Sequence, residues 1–231
     1  MGNIYFDINM KMADLIKVNY NIVLTLSRLN INLGFGEKKV KDVCEQHNVS
    51  PQFFILICNV YSFDTFRVEE DTIKTTDFSL LVPYLSSSHT YYTTKRLPHI
   101  KKHLNDIDDN MDSKYSNIIL KFFEDYVEQI LDHFTYEEKK IFPDIIKLQN
   151  GEKVSLGKLT TISKNHKSID DKLDDFTQII YKYLPETVLP DELFEVLFDL
   201  LQFSNDIKKH TLIEEKILTP YIKYLNNNKT L

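Results

Sequence analysis

The sequence predicts an all-α protein: an up-down four-helix bundle preceded by a small helical domain. Three observations carry that expectation. The 231 residues include only five Gly and seven Pro, too few for the frequent turns of an all-β fold. No run alternates strictly between apolar and polar residues for long. Four long stretches of helical periodicity follow one another with short polar joints, the pattern of an antiparallel bundle.

Residues 10–29 place Met12, Leu15, Ile16, Ile22, Val23, Leu26 and Leu29 at near-helical spacing. Gly34 and Gly36 then break the pattern. Residues 37–47 read as a short helix, and Ser50-Pro51 forms an N-cap and first-turn pair for a third, reaching about Phe63. Residues 1–63 are therefore expected to form a small unit, and the polar stretch 64–76 a linker. The bundle should occupy 77–231. Asp77 is the expected cap of its first helix, which runs to about Leu104. The second spans roughly Ser113 to Leu148, ending near Asn150-Gly151. Ser155 opens the third, which stops before Pro185, and Pro190-Asp191 opens the fourth, ending near Tyr224.

Composition narrows the function classes. A net charge of -6 with scattered Lys offers no basic stripe, so no nucleic-acid partner is expected. The longest apolar stretches, such as 53–61, fall far short of a membrane span, so no membrane partner is expected either. MGNIYFDINM has no basic region leading into an apolar core, and position 6 is Phe where myristoylation calls for Ser or Thr. Cys44 and Cys58 read as buried, reduced thiols, and a cytoplasmic location is the expectation.

The chemistry lies in an internal repeat. HFTYEEKKIFP at 133–143 aligns without gaps on HTLIEEKILTP at 210–220, an offset of 77. His133, Glu137, Glu138, Lys139 and Pro143 fall on His210, Glu214, Glu215, Lys216 and Pro220. The same offset carries His89 onto His166, each 44 residues before its partner His. On an α-helix, residues i and i+4 differ by about 40° of rotation, so each HxxxE projects from one face. Glu138 and Glu215 point about 140° from their histidines and read as solvated charges. The candidate metal ligands are thus His89, His133, Glu137, His166, His210 and Glu214, in two equivalent sequence halves.

Four imidazoles and two carboxylates exceed what one tetrahedral zinc uses, and no thiolate is among them. The set suits a dinuclear centre of iron, manganese or zinc within a bundle core. If each Glu bridges and each metal takes two His, a bridging oxo or hydroxo group and one open position complete six-coordination. That position could take a diatomic molecule.

The two HxxxEE segments resemble the signatures of the hemerythrin-like proteins and, within them, of the bacterial repair-of-iron-centres family (the ScdA/YtfE type). SHTYYTTKRLP is similar to that family's first-helix segment, and KNHKSID stands where it has the third-helix ligand. Residues 10–63 are similar to its small N-terminal ScdA domain. The family usually carries a cysteine pair in a DYCCGG-like turn; here the stretch is NLGFGEKK, so thiol chemistry does not carry over. The resemblance implies two iron ions, oxo- or hydroxo-bridged and non-haem, in a stress-response protein. Such a protein repairs oxidatively or nitrosatively damaged iron–sulfur clusters, by donating iron, by reducing nitric oxide, or by both. Its implied partners are damaged iron–sulfur proteins and nitric oxide or oxygen, with the chain a monomer or homodimer. The alternative is a hemerythrin-like module that binds or senses oxygen or nitric oxide.

Other residues take plainer readings. Asp170 follows His166 by four and is either a further ligand or a solvent-facing acid. His99 and His103, beside lysines and without a counterpart at the repeat offset, read as surface residues. His47 reads as a helix-end residue, and Tyr91, Tyr92 and Tyr136 read as packing with a second option of lining the site.

Overall fold

The computed structural model describes residues 5–108, 113–152, 154, 162–184 and 190–227, and these are helical almost throughout. Among the described residues, extended pairing is limited to one antiparallel bridge between Lys11 and Lys39. Helices α1 (Met12–Val18), α2 (Ile22–Arg28), α3 (Val40–Gln46) and α4 (Pro51–Ser62) are followed by α5 (Glu70–Thr75) and α6 (Leu81–Tyr91). Then come α7 (Leu97–Asp108), α8 (Ser113–Tyr136), α9 (Phe142–Gln149), α10 (Ile162–Tyr183), α11 (Pro190–Ile213) and α12 (Thr219–Asn227). The expected helix start at Ser155 and stop at Pro185 lie outside the described residues.

The chain divides into two compact units, and α6, α9 and α11 contribute to both. The first unit comprises residues 1–88, 145–153 and 209–231. In it, the single helix expected over 10–29 is two. Asn19 breaks it: its backbone is extended, and its side-chain oxygen accepts from the Asn21 N–H while Nδ2 donates to Ser62 Oγ. A local side-chain turn of this kind competes directly with helix. Ser50 caps α4 as expected, its Oγ accepting from the Phe53 N–H. Buried Asn59 clamps Phe6 through both backbone groups, at 2.8 and 3.0 Å. Gly34 and Gly36 both sit at positive φ, where a side chain would be strained.

Within the same unit, residues 64–76 include the short helix α5. Lys209 Nζ donates to Asp64, and Lys216 Nζ to the carbonyls of Asp64 and Phe66. Asp77 accepts from the Ser79 N–H, one turn ahead of α6. Phe78 packs against Phe53 and Tyr221.

The second unit, 89–144 with 154–208, is the four-helix core. Each helix sends inward a stripe of apolar residues three or four apart. These are Leu97, Ile100, Leu104 and Ile107 on α7, and Ile119, Phe123, Tyr126 and Ile130 on α8. Helix α10 supplies Ile169, Leu173, Phe176 and Ile180, and α11 supplies Val196, Leu200, Phe203 and Ile207.

Three described segments are π-helical: 92–96, 137–141 and 214–218. In each the closing N–H, from Leu97, Phe142 or Thr219, bonds to a carbonyl five residues back. Pro98, Pro143 and Pro220 lie two residues beyond them. Proline has no N–H and its ring clashes with the carbonyl four residues earlier, so a wider turn before it relieves the helix. The Thr93 and Thr94 hydroxyls also bond back to the His89 and Thr90 carbonyls. The turns at 137–141 and 214–218 stand 77 residues apart, so the HxxxE repeat extends to backbone form, whereas 169–173, the counterpart of 92–96, lie within α10.

Candidate metal centre

Every candidate ligand continues the inward stripe of its helix. His133 and Glu137 follow Ile130 by three and seven residues. His166 precedes Ile169 by three, His210 and Glu214 follow Ile207 by three and seven, and His89 precedes Tyr92 by three. The period that buries apolar residues therefore carries these six polar side chains inward, and all six are buried.

Glu137, only 1 % exposed, is the focus of the second unit. Its Oε1 lies 3.4 Å from His133 Nε2 and 3.7 Å from His166 Nε2, while its Oε2 lies 3.4 Å from His89 Nε2. The ligand atoms of His133, Glu137 and His166 fall within 4.8 Å of one another. These separations exceed ordinary hydrogen-bond lengths and suit donors around a shared ion about 2 Å from each. Imidazole nitrogen and carboxylate oxygen are the donors that iron, manganese or zinc take, so the residues fit the implied metal.

The His89 ring stacks on Phe134, with centroids 4.1 Å apart, and on Phe142. Its Nδ1 lies 3.0 Å from Glu138 Oε1. A carboxylate only accepts, so Nδ1 carries the proton and the Nε2 lone pair faces Glu137. Glu138 is solvent-exposed, as the spacing implies, and it also sets the tautomer and direction of His89. Glu215, its repeat counterpart, is exposed.

In the first unit, His210 Nε2 lies 3.2 Å from Glu214 Oε1, and Glu214 is 1 % exposed. This reproduces the His133–Glu137 pair at the repeat offset. The two sequence halves do not each enclose their own ligands, however. His133 of one half and His166 of the other share Glu137 Oε1, while His89 faces Oε2.

Residues 95–225 match the hemerythrin HHE cation-binding domain. The chain belongs to this family. No individual curated protein matches it. The hemerythrin match begins after His89, so that residue rests on the repeat and on its distances to Glu137 and Glu138. The protein is a hemerythrin-like, metal-binding helical bundle, and among its described residues no helix is long and apolar enough to cross a membrane.

The other side chains singled out by the sequence take defined roles. Tyr92 is core: its OH donates to the Asp206 carbonyl and its ring meets Phe134 and Phe203. His47 is structural, with Nδ1 donating to the Val43 carbonyl and Nε2 accepting from the Asn32 N–H. Burial pushes the Cys44 thiol up to about 12 and Cys58 well above its usual value, so both stay protonated. His99 and His103 form a separate group with Asp199, a residue that no sequence signal singles out.

Asp170 joins none of the ligand groups found among the described residues. Burial raises its carboxyl from 3.8 to about 6, against the lowering pull of Lys208 and His166. A raised acid favours folding in its protonated form. Its ionisation therefore begins to oppose the fold above pH 3.8 and does so fully above about pH 6. Asp170→Asn is expected to raise the thermal midpoint at pH 7.5 and to leave it nearly unchanged at pH 4. Melting curves at both pH values, at equal metal loading, check this; an equal shift at both would contradict it.

Proposed function

We propose that His89, His133, Glu137, His166, His210 and Glu214 hold two iron ions, with Glu137 and Glu214 bridging them. One observation carries the reading: the two oxygens of a single buried carboxylate face different histidines, Oε1 toward His133 and His166 and Oε2 toward His89. A carboxylate serving one ion would not need imidazoles at both oxygens. The repeat assigns Glu214, beside His210, the matching role.

Bound iron would supply redox chemistry and open positions for a diatomic ligand. The chain's own residues hold the donors in place: Glu138 fixes the His89 tautomer, and Phe134 and Phe142 fix its ring plane. Together with the HxxxEE signatures and the similarity of residues 10–63 to a ScdA domain, this supports a cytoplasmic repair-of-iron-centres protein. In that reading 1–63 is the small N-terminal domain, 64–76 the linker and 77–231 the iron-binding bundle. Its role is the repair of iron–sulfur clusters damaged by oxidative or nitrosative stress, through iron donation, nitric oxide reduction, or both.

The test is metal analysis with Mössbauer spectroscopy on protein expressed in iron-supplemented medium, followed by two assays. Two coupled irons per chain are expected. Release of iron under mild chelation to an apo-cluster acceptor identifies a donor, and conversion of nitric oxide to nitrous oxide with a reductant identifies a reductase. Two irons with neither activity, but with a reversible oxygenated spectrum, would replace repair with oxygen binding. One iron or none would overturn the dinuclear assignment.

A further inference from the structure

A second group of metal-type donors sits within the four-helix core unit and shares no residue with the buried centre. His99 and His103 lie one turn apart on α7, the i,i+4 spacing by which a helix presents two imidazoles to one ion. Their rings are 4.4 Å apart, centroid to centroid. Both turn Nδ1 to the same atom on α11: Asp199 Oδ2 lies 2.9 Å from His99 Nδ1 and 3.2 Å from His103 Nδ1.

We propose that His99, His103 and Asp199 form a mononuclear site for a zinc-class divalent ion. Three features carry this. First, donors bonded at 2.0–2.1 Å to one ion stand roughly 2.9 Å apart at an octahedral angle and about 3.3 Å apart at a tetrahedral one. The two measured separations fall in that range. Second, these atoms do not hydrogen-bond to each other in spite of their closeness. His103 Nδ1 and Asp199 Oδ2 are buried atoms with no hydrogen-bond partner, and a buried polar atom left so is unfavourable unless something else engages it. An ion between them engages both. Third, the carboxylate is held for the task. Arg96 Nη1 pairs with Asp199 Oδ1 at 3.1 Å, while Nη2 donates to the Asp199 carbonyl and to Gln202 Oε1. The guanidinium takes one oxygen and leaves the other aimed at the two imidazoles.

The competing arrangement is a protonated histidine pair sharing one carboxylate. It would need N–H groups directed at Oδ2, and the ring orientation does not direct them there. Two imidazoles and one carboxylate leave at least one coordination position for water, the donor count of an open zinc site. His99 is 51 % exposed and His103 20 %, so an ion enters and leaves from solvent. Arg96 adds positive charge next to the site, which makes the ion exchangeable. The buried centre has no such route to solvent through its ligands, all of which are buried.

Zinc titration of the purified, iron-loaded protein, followed by calorimetry, tests the site. One zinc per chain is expected beyond whatever fills the buried centre. In His99→Ala and His103→Ala that zinc should weaken at least tenfold, with iron content and far-ultraviolet circular dichroism unchanged. Cobalt(II) in place of zinc should give visible absorption bands in the parent protein that the double variant lacks. The readout is a difference of one ion between parent and variant, so it does not depend on the identity of the buried metal. Equal zinc uptake by parent and double variant would overturn the proposal, as would no uptake beyond the buried centre. If the double variant loses its fold, the half-exposed His99→Gln variant alone carries the comparison, and zinc binding equal to the parent again overturns it.

Discussion

Glu137→Ala is expected to abolish the dinuclear centre and not merely to weaken it. The Glu137 oxygens are the common neighbours of His89, His133 and His166, at 3.4, 3.4 and 3.7 Å. Removing the side chain takes a donor from both proposed ions at once. It also removes the carboxylate that all three buried imidazoles face, so a metal cation loses one of its electrostatic anchors. Even partners outside the ligand shell change metal affinity by about 10–100-fold when lost, and a bridging ligand should exceed that. The check is iron per chain by elemental analysis, with Mössbauer spectra to detect a surviving coupled pair. Retention of two coupled irons would show that Glu137 does not bridge.

Phe176→Ala should give the largest loss of stability away from the centre. Phe176 is fully buried on α10, stacked on Phe122 at 5.2 Å and set against Phe123 at 5.9 Å. Truncating a core Phe costs about 3–5 kcal/mol in lost burial and residual cavity. That is a large part of the roughly 5–15 kcal/mol that holds a domain folded. On α11, Phe198 is largely exposed, and Phe198→Ala should stay within about 0.5 kcal/mol of the parent. Urea unfolding measures both; comparable midpoints for the two variants would contradict the four-helix core described above.

The same contrast explains what could be read in advance. Helical period alone marks Ile130, His133 and Glu137 as one stripe, so burial of the ligands and the bundle class followed from spacing. The 77-residue offset added His89 and His166, which lie outside both HxxxE motifs. Period does not say which helix faces which. That is why spacing shows Glu138 as a solvated charge but not its bond to His89, which lies 49 residues away on another helix. The sharing of Glu137 by His133 and His166, and the approach of Asp199 to His99 and His103, depend on helix adjacency in the same way. The break at Asn19 was missed for a local reason. Flanking apolar residues kept helical spacing while one side chain, hydrogen-bonded to the next turn, stopped the helix.

The π-helical turns at 92–96, 137–141 and 214–218 carry a consequence for tolerated change in the family line. Each such turn holds one residue more than an α-helical turn, and its proline stands at a set distance beyond. Deleting that residue would rewind the segment as α-helix and rotate everything after it by about 100° relative to the ligand before it. Apart from the ligands Glu137 and Glu214, which open two of these turns, side chains in them can vary in kind while their number cannot. Insertions and deletions should therefore be confined to the joints between helices, leaving the stretch from each ligand to its proline unchanged in length.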